Sequence, residues 1–146
     1  EVGYNHRMDG IQGAVLGAKL PHLDAWNERR RRIAAHYAEG LGSVPEVRLP
    51  ATAPGAEPVY HLYVVRVPDR AALARDLAAA GVQTAVQYPN PIHLTPAFAS
   101  LGYGPGSLPV YERTCAEVLS LPMYPDLSDE QVDYVVACVR THYAGR

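Results

Sequence analysis

A proline-rich stretch, SVPEVRLPATAPGAEP at residues 43–58, is the feature that most limits what this chain can fold into. Proline has no backbone N–H and a fixed φ, so neither a helix nor a central strand continues through four prolines in sixteen residues. The stretch therefore separates two differently patterned parts of the sequence. Residues 1–42 are predicted to form a helical arm, and residues 43–146 a small α+β domain.

The arm shows helical periodicity on both sides of Pro21. Its two stripes are Ile11, Ala14, Val15 and Ala18 before the proline, and Trp26, Arg30, Ile33, Tyr37 and Leu41 after it. Asp9 is placed to cap the first helix, and Gly40 and Gly42 to end the second. The consecutive arginines Arg29 to Arg32 point in different directions on a helix, so we predict a solvated helix rather than one basic surface.

The sequence beyond the proline-rich stretch alternates between strand-like and helix-like patterns. Three extended segments are predicted, at residues 59–67, 82–88 and 120–127. Three helices are predicted, beginning at the capping residues Asp69, Ser107 and Ser128. Ser128 and Gln131 have the spacing of a capping box. Helices on one face of a small sheet give an α+β fold class.

Composition excludes several classes of function. The 146 residues carry a formal net charge of −2 and a pI near 6.3, which gives no basis for nucleic-acid binding. No apolar stretch of about 18 residues occurs, so no membrane span is predicted. No histidine pair has the spacing of a metal site, and we expect no metal. Cys115 and Cys138 lie in apolar helical patterns and indicate reduced thiols, so we expect a cytoplasmic location.

Polar side chains crowd the sequence GYNHRM, residues 3–8, directly before the first helix. Asn5 offers two amide donors and Arg7 a bidentate fork, and a helix start presents free N–H groups. These features predict a site for a phosphate or a carboxylate. Helix capping is the alternative, although Asp9 alone could supply the cap.

A second candidate site lies in the loop PNPIHLTP, residues 89–96, which three prolines stiffen. The loop holds His93 with little freedom, and the pattern alone leaves a structural role and a ligand contact both open. No nucleophile triad assembles elsewhere, because Gly-x-Ser-x-Gly is absent and neither cysteine has a base nearby in the sequence.

Four segments together resemble the C-terminal portion of one enzyme family. They are GYNHRMDGIQGAVLGAKLPHLDAWNERRRRIAAHY, YHLYVVRV, GVQTAVQYPNPIHLTPAF and LPVYERTCAEVLSLPMYPDLSDEQVDYV. In this order, and over nearly the whole chain, they are similar to the DegT/StrS family of pyridoxal-phosphate-dependent sugar aminotransferases. The resemblance implies the fold-type-I (aspartate aminotransferase-like) architecture, with this chain as its small C-terminal domain preceded by long interdomain helices.

The resemblance implies transfer of an amino group, typically from glutamate, to a keto-deoxysugar attached to a nucleoside diphosphate. Pyridoxal 5′-phosphate is the implied cofactor, and the implied assembly is a homodimer with shared active sites. By the match to Gly-x-Asn-x-Arg, Asn5 would bind the cofactor phosphate of the partner subunit. Tyr4 and Arg7 would lie near the same shared site.

Tyr88, Pro91 and His93 match the family's Tyr-x-x-Pro-x-His segment and would border the nucleotide-sugar side. In the family, the Schiff-base lysine and most of the large domain lie upstream of the Gly-x-Asn motif. This chain begins at that motif. The chain is therefore expected to contain no catalytic residue and to be inactive by itself. Lys19, its single lysine, falls inside the first helix, where the family has no catalytic lysine, and we expect it to be structural.

Two alternatives remain open at this point. One is a cousin of the same family that uses the cofactor for dehydration or aromatisation, because such members differ mainly around the missing lysine. The other is a non-catalytic interaction or dimerisation module, whose helical arm would expose an apolar face and self-associate.

Overall fold

The computed structural model describes residues 7–145. The α-helices are α1 (Gly10–Lys19), α2 (Leu23–Leu41), α3 (Arg70–Ala79), α4 (Pro109–Glu117) and α5 (Asp129–Ala144). The strands are β1 (Tyr63–Arg66) and β2 (Val118–Leu121). Short 3-10 helices span Leu20–His22, Ile92–Leu94 and Pro96–Leu101. The predicted α+β class is confirmed.

The two strands pair antiparallel, with Tyr63 opposite Leu121 and Arg66 opposite Val118. The predicted strand at residues 59–67 is shortened to β1, because Tyr60 adopts a left-handed backbone with φ of 49°. Single bridges extend the sheet on both sides, from Arg48 to Arg66 and from Ala85 to Ser120.

The strand predicted at residues 82–88 is wrong, since its only sheet pairing among the described residues is the bridge at Ala85. Both backbone groups of Ala85 bond to Ser120. Two residues later the side chain of Gln87, rather than its backbone, accepts a hydrogen bond from the Ser120 hydroxyl at 2.6 Å. Pro89, which has no N–H to donate, then prevents the ladder from continuing.

One hydrophobic core joins helices α2, α3 and α5 to the sheet. Its buried members are Ile33, Ala34, Tyr37, Leu41, Val44, Val47, Tyr63, Val65, Val67, Leu73, Leu77, Val82, Leu119, Leu121, Leu127, Val132, Val135, Val136 and Val139. Tyr37 of α2 stacks on Tyr63 of β1 with ring centroids 5.0 Å apart, and its hydroxyl donates to the Pro122 carbonyl at 3.0 Å. Burial raises the pKa of both phenols. The second half of α2 therefore belongs to the same core as the strands.

Helix α5 packs against both α2 and α3, and a glycine sets its distance from α2. A Cβ placed on Gly40 would lie 2.8 Å from both γ-methyl groups of Val136. The missing side chain at Gly40 is thus what permits the close approach of the two helices. Gly42 caps the C-terminus of α2, as predicted, whereas Gly40 lies inside the helix.

The helix starts at Asp69 and Ser128 are confirmed. The Asp69 carboxylate accepts the N–H of Ala72 at 3.2 Å. Ser128 and Gln131 form the expected capping box, in which each side chain accepts the other's backbone N–H. Both caps satisfy helix N–H groups that have no partner within their own helix.

The arginine run of α2 fastens this helix to the segment that follows β2. Arg29 donates to the Leu127 carbonyl at 2.5 Å and pairs with Asp129 at 2.9 Å. Arg30 donates to the Met123 carbonyl at 3.1 Å. Both guanidinium groups are half-buried and satisfy carbonyl groups of a loop.

Arg31 extends these contacts to the proline-rich stretch, where it pairs with Glu57 at 3.3 Å and donates to the Pro58 carbonyl. Only Arg32 of the run is exposed. Of the three half-buried arginines, Arg30 was expected on the apolar stripe, and the prediction of a solvated helix is wrong for Arg29 and Arg31. Their different directions, which argued against one basic surface, bring each of the three to a different set of acceptors.

Helix α1 differs from the other α-helices because none of its residues is buried. Ile11 is 80% exposed and Leu16 56% exposed. None of the described helices combines the length and the apolarity needed to cross a membrane.

Replacing Gly40 by alanine tests the α2–α5 approach. The new methyl group would overlap the stiff, β-branched Val136, and overpacking of this kind costs about 1–3 kcal/mol, more than the roughly 1 kcal/mol that alanine gains in helix propensity. We expect urea unfolding to show a lower midpoint for Gly40→Ala. Gly13→Ala is the control, since nothing lies within 4 Å of a Cβ there, and it should leave the urea midpoint unchanged. A Gly40→Ala chain as stable as the wild type would contradict the close contact.

Replacing Arg30 by methionine tests the arginine contacts. The substitution keeps an apolar stem but leaves the Met123 carbonyl without its charged donor, and we expect a loss of about 1–2 kcal/mol in the free energy of unfolding. Arg32→Met is the matched control on the same helix and should change stability by less than about 0.5 kcal/mol. Equal losses from the two substitutions would show that the carbonyl contact contributes nothing specific.

Candidate functional site

Arg7 is the one residue of the expected cofactor group that the structure describes, because Tyr4 and Asn5 lie outside the described residues. Its side chain is exposed and forms no ion pair within residues 7–145. A planar guanidinium with no competing carboxylate is suited to bidentate binding of a phosphate. The described donor therefore fits the phosphate group of the expected cofactor.

The start of α1 changes how an anion could bind there. The Asp9 carboxylate accepts the N–H of Gln12 at 2.8 Å, and the Gln12 side chain accepts the N–H of Asp9 at 3.1 Å. The expected cap at Asp9 is confirmed as a full capping box. Because this cap places a negative charge on the helix N–H groups, anion binding at this end depends on side chains such as Arg7 rather than on the free N–H groups expected from the sequence.

Arg7 stands at one end of an open, apolar surface of α1. The other exposed residues of that surface are Met8, Ile11, Gln12, Val15 and Leu16. Lys19 is exposed in the last turn of the same helix, where a cation favours the helix dipole. This position agrees with a structural role for Lys19.

The expected substrate group occupies a single segment but differs in exposure. Tyr88 is 73% exposed, Pro91 is half-buried at the start of the 3-10 helix Ile92–Leu94, and His93 is only 5% exposed. Tyr88 can therefore touch a ligand directly. The side chain of His93 is enclosed by its own chain.

His93 lies among three side chains from the loop and from α4. Its Nε2 is 3.2 Å from Oε1 of Glu112. The ring of Tyr103 packs edge-on against the imidazole, with ring centroids 6.1 Å apart. The centroid of the Tyr111 ring lies 5.9 Å from that of the imidazole. The other ring nitrogen, Nδ1, is buried and has no hydrogen-bond partner within the described part of the chain.

Glu112 is the site residue that the sequence analysis missed. Its carboxylate accepts the backbone N–H of Gly106 at 2.8 Å and that of Leu108 at 3.1 Å, besides the contact to His93. The two backbone donors, and after them His93, hold the pKa of Glu112 below its ordinary value. The helix cap expected at Ser107 is wrong, because α4 begins after Leu108 and Glu112 takes the N–H groups of the turn.

The segment from residue 88 to residue 111 carries an unusual share of exposed apolar side chains. They are Tyr88, Ile92, Leu94, Phe98, Leu101, Tyr103, Leu108, Val110 and Tyr111. We refer to these nine side chains as the 88–111 surface. Buried His93 contacts two of these side chains, Tyr103 and Tyr111, and partly exposed Glu112 contacts His93.

Other concave or polar features contain none of the expected site residues. A groove of about 570 Å³ lies beside α5 and is lined in part by Gln83, Tyr124 and Tyr134. Nδ1 of His142 lies 2.6 Å from Oδ2 of Asp76, and this hydrogen bond joins α5 to α3. Within residues 7–145, no group of three or more His, Cys, Asp or Glu side chains could hold a metal ion.

Comparison with known proteins gives one consistent family. A model of the DegT/DnrJ/EryC1/StrS aminotransferase family matches residues 1–140. The erythromycin biosynthesis sensory transduction protein EryC1 of Saccharopolyspora erythraea is 51% identical over 138 residues, which are 94% of this chain and 38% of that protein. The dTDP-3-amino-3,4,6-trideoxy-alpha-D-glucose transaminase of Streptomyces venezuelae is 46% identical over 94% of this chain and 36% of that enzyme. The chain thus spans less than two fifths of the length of these curated relatives.

Solved structures agree with the sequence comparison. DesV of S. venezuelae, in complex with a ketimine intermediate, superposes with a TM-score of 0.93 and 44% identity over 100% of this chain and 39% of that chain. A DegT/DnrJ/EryC1/StrS aminotransferase from Brucella abortus gives a TM-score of 0.88 and 35% identity over 98% of this chain and 38% of that chain. The prediction of a C-terminal portion with the fold of this aminotransferase family is confirmed.

Substituting Glu112 by glutamine tests the electrostatic role of its carboxylate. A folded-state pKa below the ordinary value of 4.5 means that ionised Glu112 stabilises the fold above that pH and that this contribution is lost as the pH falls through the folded value. We expect Glu112→Gln to be less stable than the wild type near pH 7, with a difference that shrinks as the pH falls below the ordinary value of 4.5. Urea midpoints across this range provide the measurement.

Glu39→Gln, at an exposed glutamate of α2, is the control for a general effect of removing one negative charge. A difference between Glu112→Gln and the wild type that does not shrink as the pH falls below 4.5 would show that ionisation of Glu112 does not stabilise the turn.

Proposed function

The chain belongs to the DegT/DnrJ/EryC1/StrS aminotransferase family, and from this premise we propose that it is the C-terminal part of an enzyme that transfers an amino group to a nucleotide-linked keto-deoxysugar. The observation that carries the proposal is the likeness, over nearly the whole chain, to a dTDP-sugar transaminase and to DesV. Glutamate is the proposed amino donor. Residues 1–42 act as the arm that carries the cofactor motif, and residues 43–146 as the small domain.

We propose that Asn5, Tyr4 and Arg7 bind the phosphate of pyridoxal phosphate in the partner subunit of a homodimer. The exposed guanidinium of Arg7, which has no ion pair in the described structure, supports this role. The cofactor, when bound, supplies an electron-withdrawing ring that carries the amino group between donor and acceptor. This chain's part is to hold its phosphate with the Asn5 amide and the Arg7 fork, and to place Tyr4 beside them.

Tyr88, Pro91 and His93 form the proposed nucleotide-sugar side. The exposed ring of Tyr88 offers a flat apolar face on which a sugar or base can stack. Pro91 fixes the entry to the 3-10 helix that carries His93. His93 supports the 88–111 surface from beneath, and this surface excludes water from one side of the bound substrate.

The isolated chain is proposed to be inactive, because its single lysine, Lys19, is at the exposed end of α1 and the family's Schiff-base lysine lies upstream. The exposed apolar surface of α1 supports contact with the large domain or with a second subunit. That surface also favours the alternative of a non-catalytic dimerisation module. The two free cysteines, one of them buried, support the proposed cytoplasmic location.

The test is the enzyme encoded by the complete reading frame that contains this chain, purified with pyridoxal phosphate. We expect the absorption band of the bound cofactor to change on addition of glutamate, and mass spectrometry to detect an aminated dTDP-sugar when a dTDP-keto-sugar is supplied. Formation of a dehydrated or aromatised product instead would favour the cousin chemistry. Absence of cofactor binding would favour the non-catalytic module.

Asn5→Ala and Arg7→Ala are expected to raise the Kd for pyridoxal phosphate by roughly tenfold to a hundredfold, since hydrogen bonds to a charged group contribute about 1.5–3 kcal/mol. Fluorescence titration of the enzyme freed of cofactor measures this Kd. Arg32→Ala is the matched control, because Arg32 is an exposed arginine of the same arm. Unchanged affinity in both variants would contradict the phosphate role.

A further inference from the structure

We propose that Glu112 is a positioning residue that fixes His93 as the tautomer protonated on Nε2, anchors the turn at Gly106 and so sets the shape of the 88–111 surface. Only the consequence for the substrate rests on the proposed function. The tautomer and the anchored turn concern the chain itself.

The tautomer follows from the contact between His93 and Glu112. An ionised carboxylate only accepts hydrogen bonds, so the imidazole nitrogen 3.2 Å from Oε1 has to carry the proton. The lowered pKa of Glu112 supports the ionised form. A proton on Nδ1 would bury an N–H group that has no acceptor among the described residues, which is costly. Both nitrogens therefore favour the same tautomer.

The turn before α4 depends on the same carboxylate. Gly106, with φ of 87°, donates its N–H to both carboxylate oxygens, and Leu108 donates to Oε1. The backbone N–H of Glu112 in return donates to the Leu108 carbonyl at 2.9 Å. One side chain thus joins α4, the turn and the 3-10 helix of His93.

Two of the aromatic side chains of the 88–111 surface, Tyr103 and Tyr111, pack against His93. Tyr103, from the turn, is 51% exposed, and Tyr111, from α4, is 37% exposed. Both rings contact the imidazole, so the orientation of His93 determines where their exposed faces lie. Since stacking on a sugar or a base depends on ring geometry, Glu112 governs substrate binding without touching the substrate.

The tautomer is measured directly by ¹⁵N NMR of the histidine side chains of this chain at about pH 8.5, where an ordinary imidazole is neutral. His93→Gln assigns the resonances. We expect wild-type His93 to be a single species protonated on Nε2. A proton on Nδ1, or rapid exchange between the tautomers, would overturn the proposal whether or not a Glu112 variant folds.

Glu112→Met keeps the length of the side chain and removes both acceptors. We expect His93 to become a mixture of tautomers and the Gly106 and Leu108 amides to exchange with solvent at least about tenfold faster. Glu117→Met is the control, because Glu117 lies on the same helix as Glu112 and pairs with Arg66 of β1 instead of with His93. It should leave the His93 tautomer unchanged. If Glu112→Met lowers stability but leaves the His93 tautomer as in the wild type, Glu112 is merely structural and the proposal fails.

Kinetics of the complete enzyme test the consequence for the substrate. Glu112→Met should raise KM for the nucleotide sugar about tenfold and change kcat less than about threefold, the pattern of lost ground-state positioning. A loss in kcat at unchanged KM would overturn this part. If the wild-type enzyme transfers no amino group, the proposed function fails, while the NMR result still decides the role of Glu112.

Discussion

Close packing of α2 against α5 is the contact on which the rest of the fold depends. Two strands of four residues are too small to be stable by themselves, so the sheet needs helices that cover it. The missing side chain at Gly40 allows α2 to approach α5, and the same helix places Tyr37 on Tyr63. Helix α2 lies in the first part of the described chain and α5 at its end, so their contact joins segments that are far apart in the sequence.

The 88–111 surface is organised by a different kind of interaction. It is carried by 3-10 helices, loops and the first turn of α4 rather than by strands, and its apolar side chains are exposed. Prolines limit its backbone, and buried His93 joins Glu112 to two of its side chains, Tyr103 and Tyr111. A hydrogen-bonded network that is shielded from water is strong only when each donor faces its acceptor. The contact between His93 and Glu112 therefore favours one arrangement of the loop over the others.

Local patterns could be read from the sequence and distant partners could not. The capping residues Asp9 and Ser128 act on groups three residues away, which a linear motif encodes. Arg29 meets its carbonyl 98 residues later, and Glu112 meets His93 19 residues earlier, so their roles depend on packing that no local pattern contains. For the same reason the family resemblance located the segment of His93 but not its partner. Arg7 alone of the cofactor group falls within the described structure.

The absence of buried residues in α1 gives the described chain two levels of local stability. A helix of ten residues that contains Gly10, Gly13 and Gly17 is too short and too flexible to be stabilised by its backbone alone, and it gains nothing from burial in this chain. Its opening is therefore independent of the core, and its amides exchange hydrogen without global unfolding. A protease would reach residues 10–19 at a rate that is insensitive to mutations in the core. The helicity of residues 10–19 therefore reports whether another domain or subunit covers α1. The urea midpoint reports only the stability of the core.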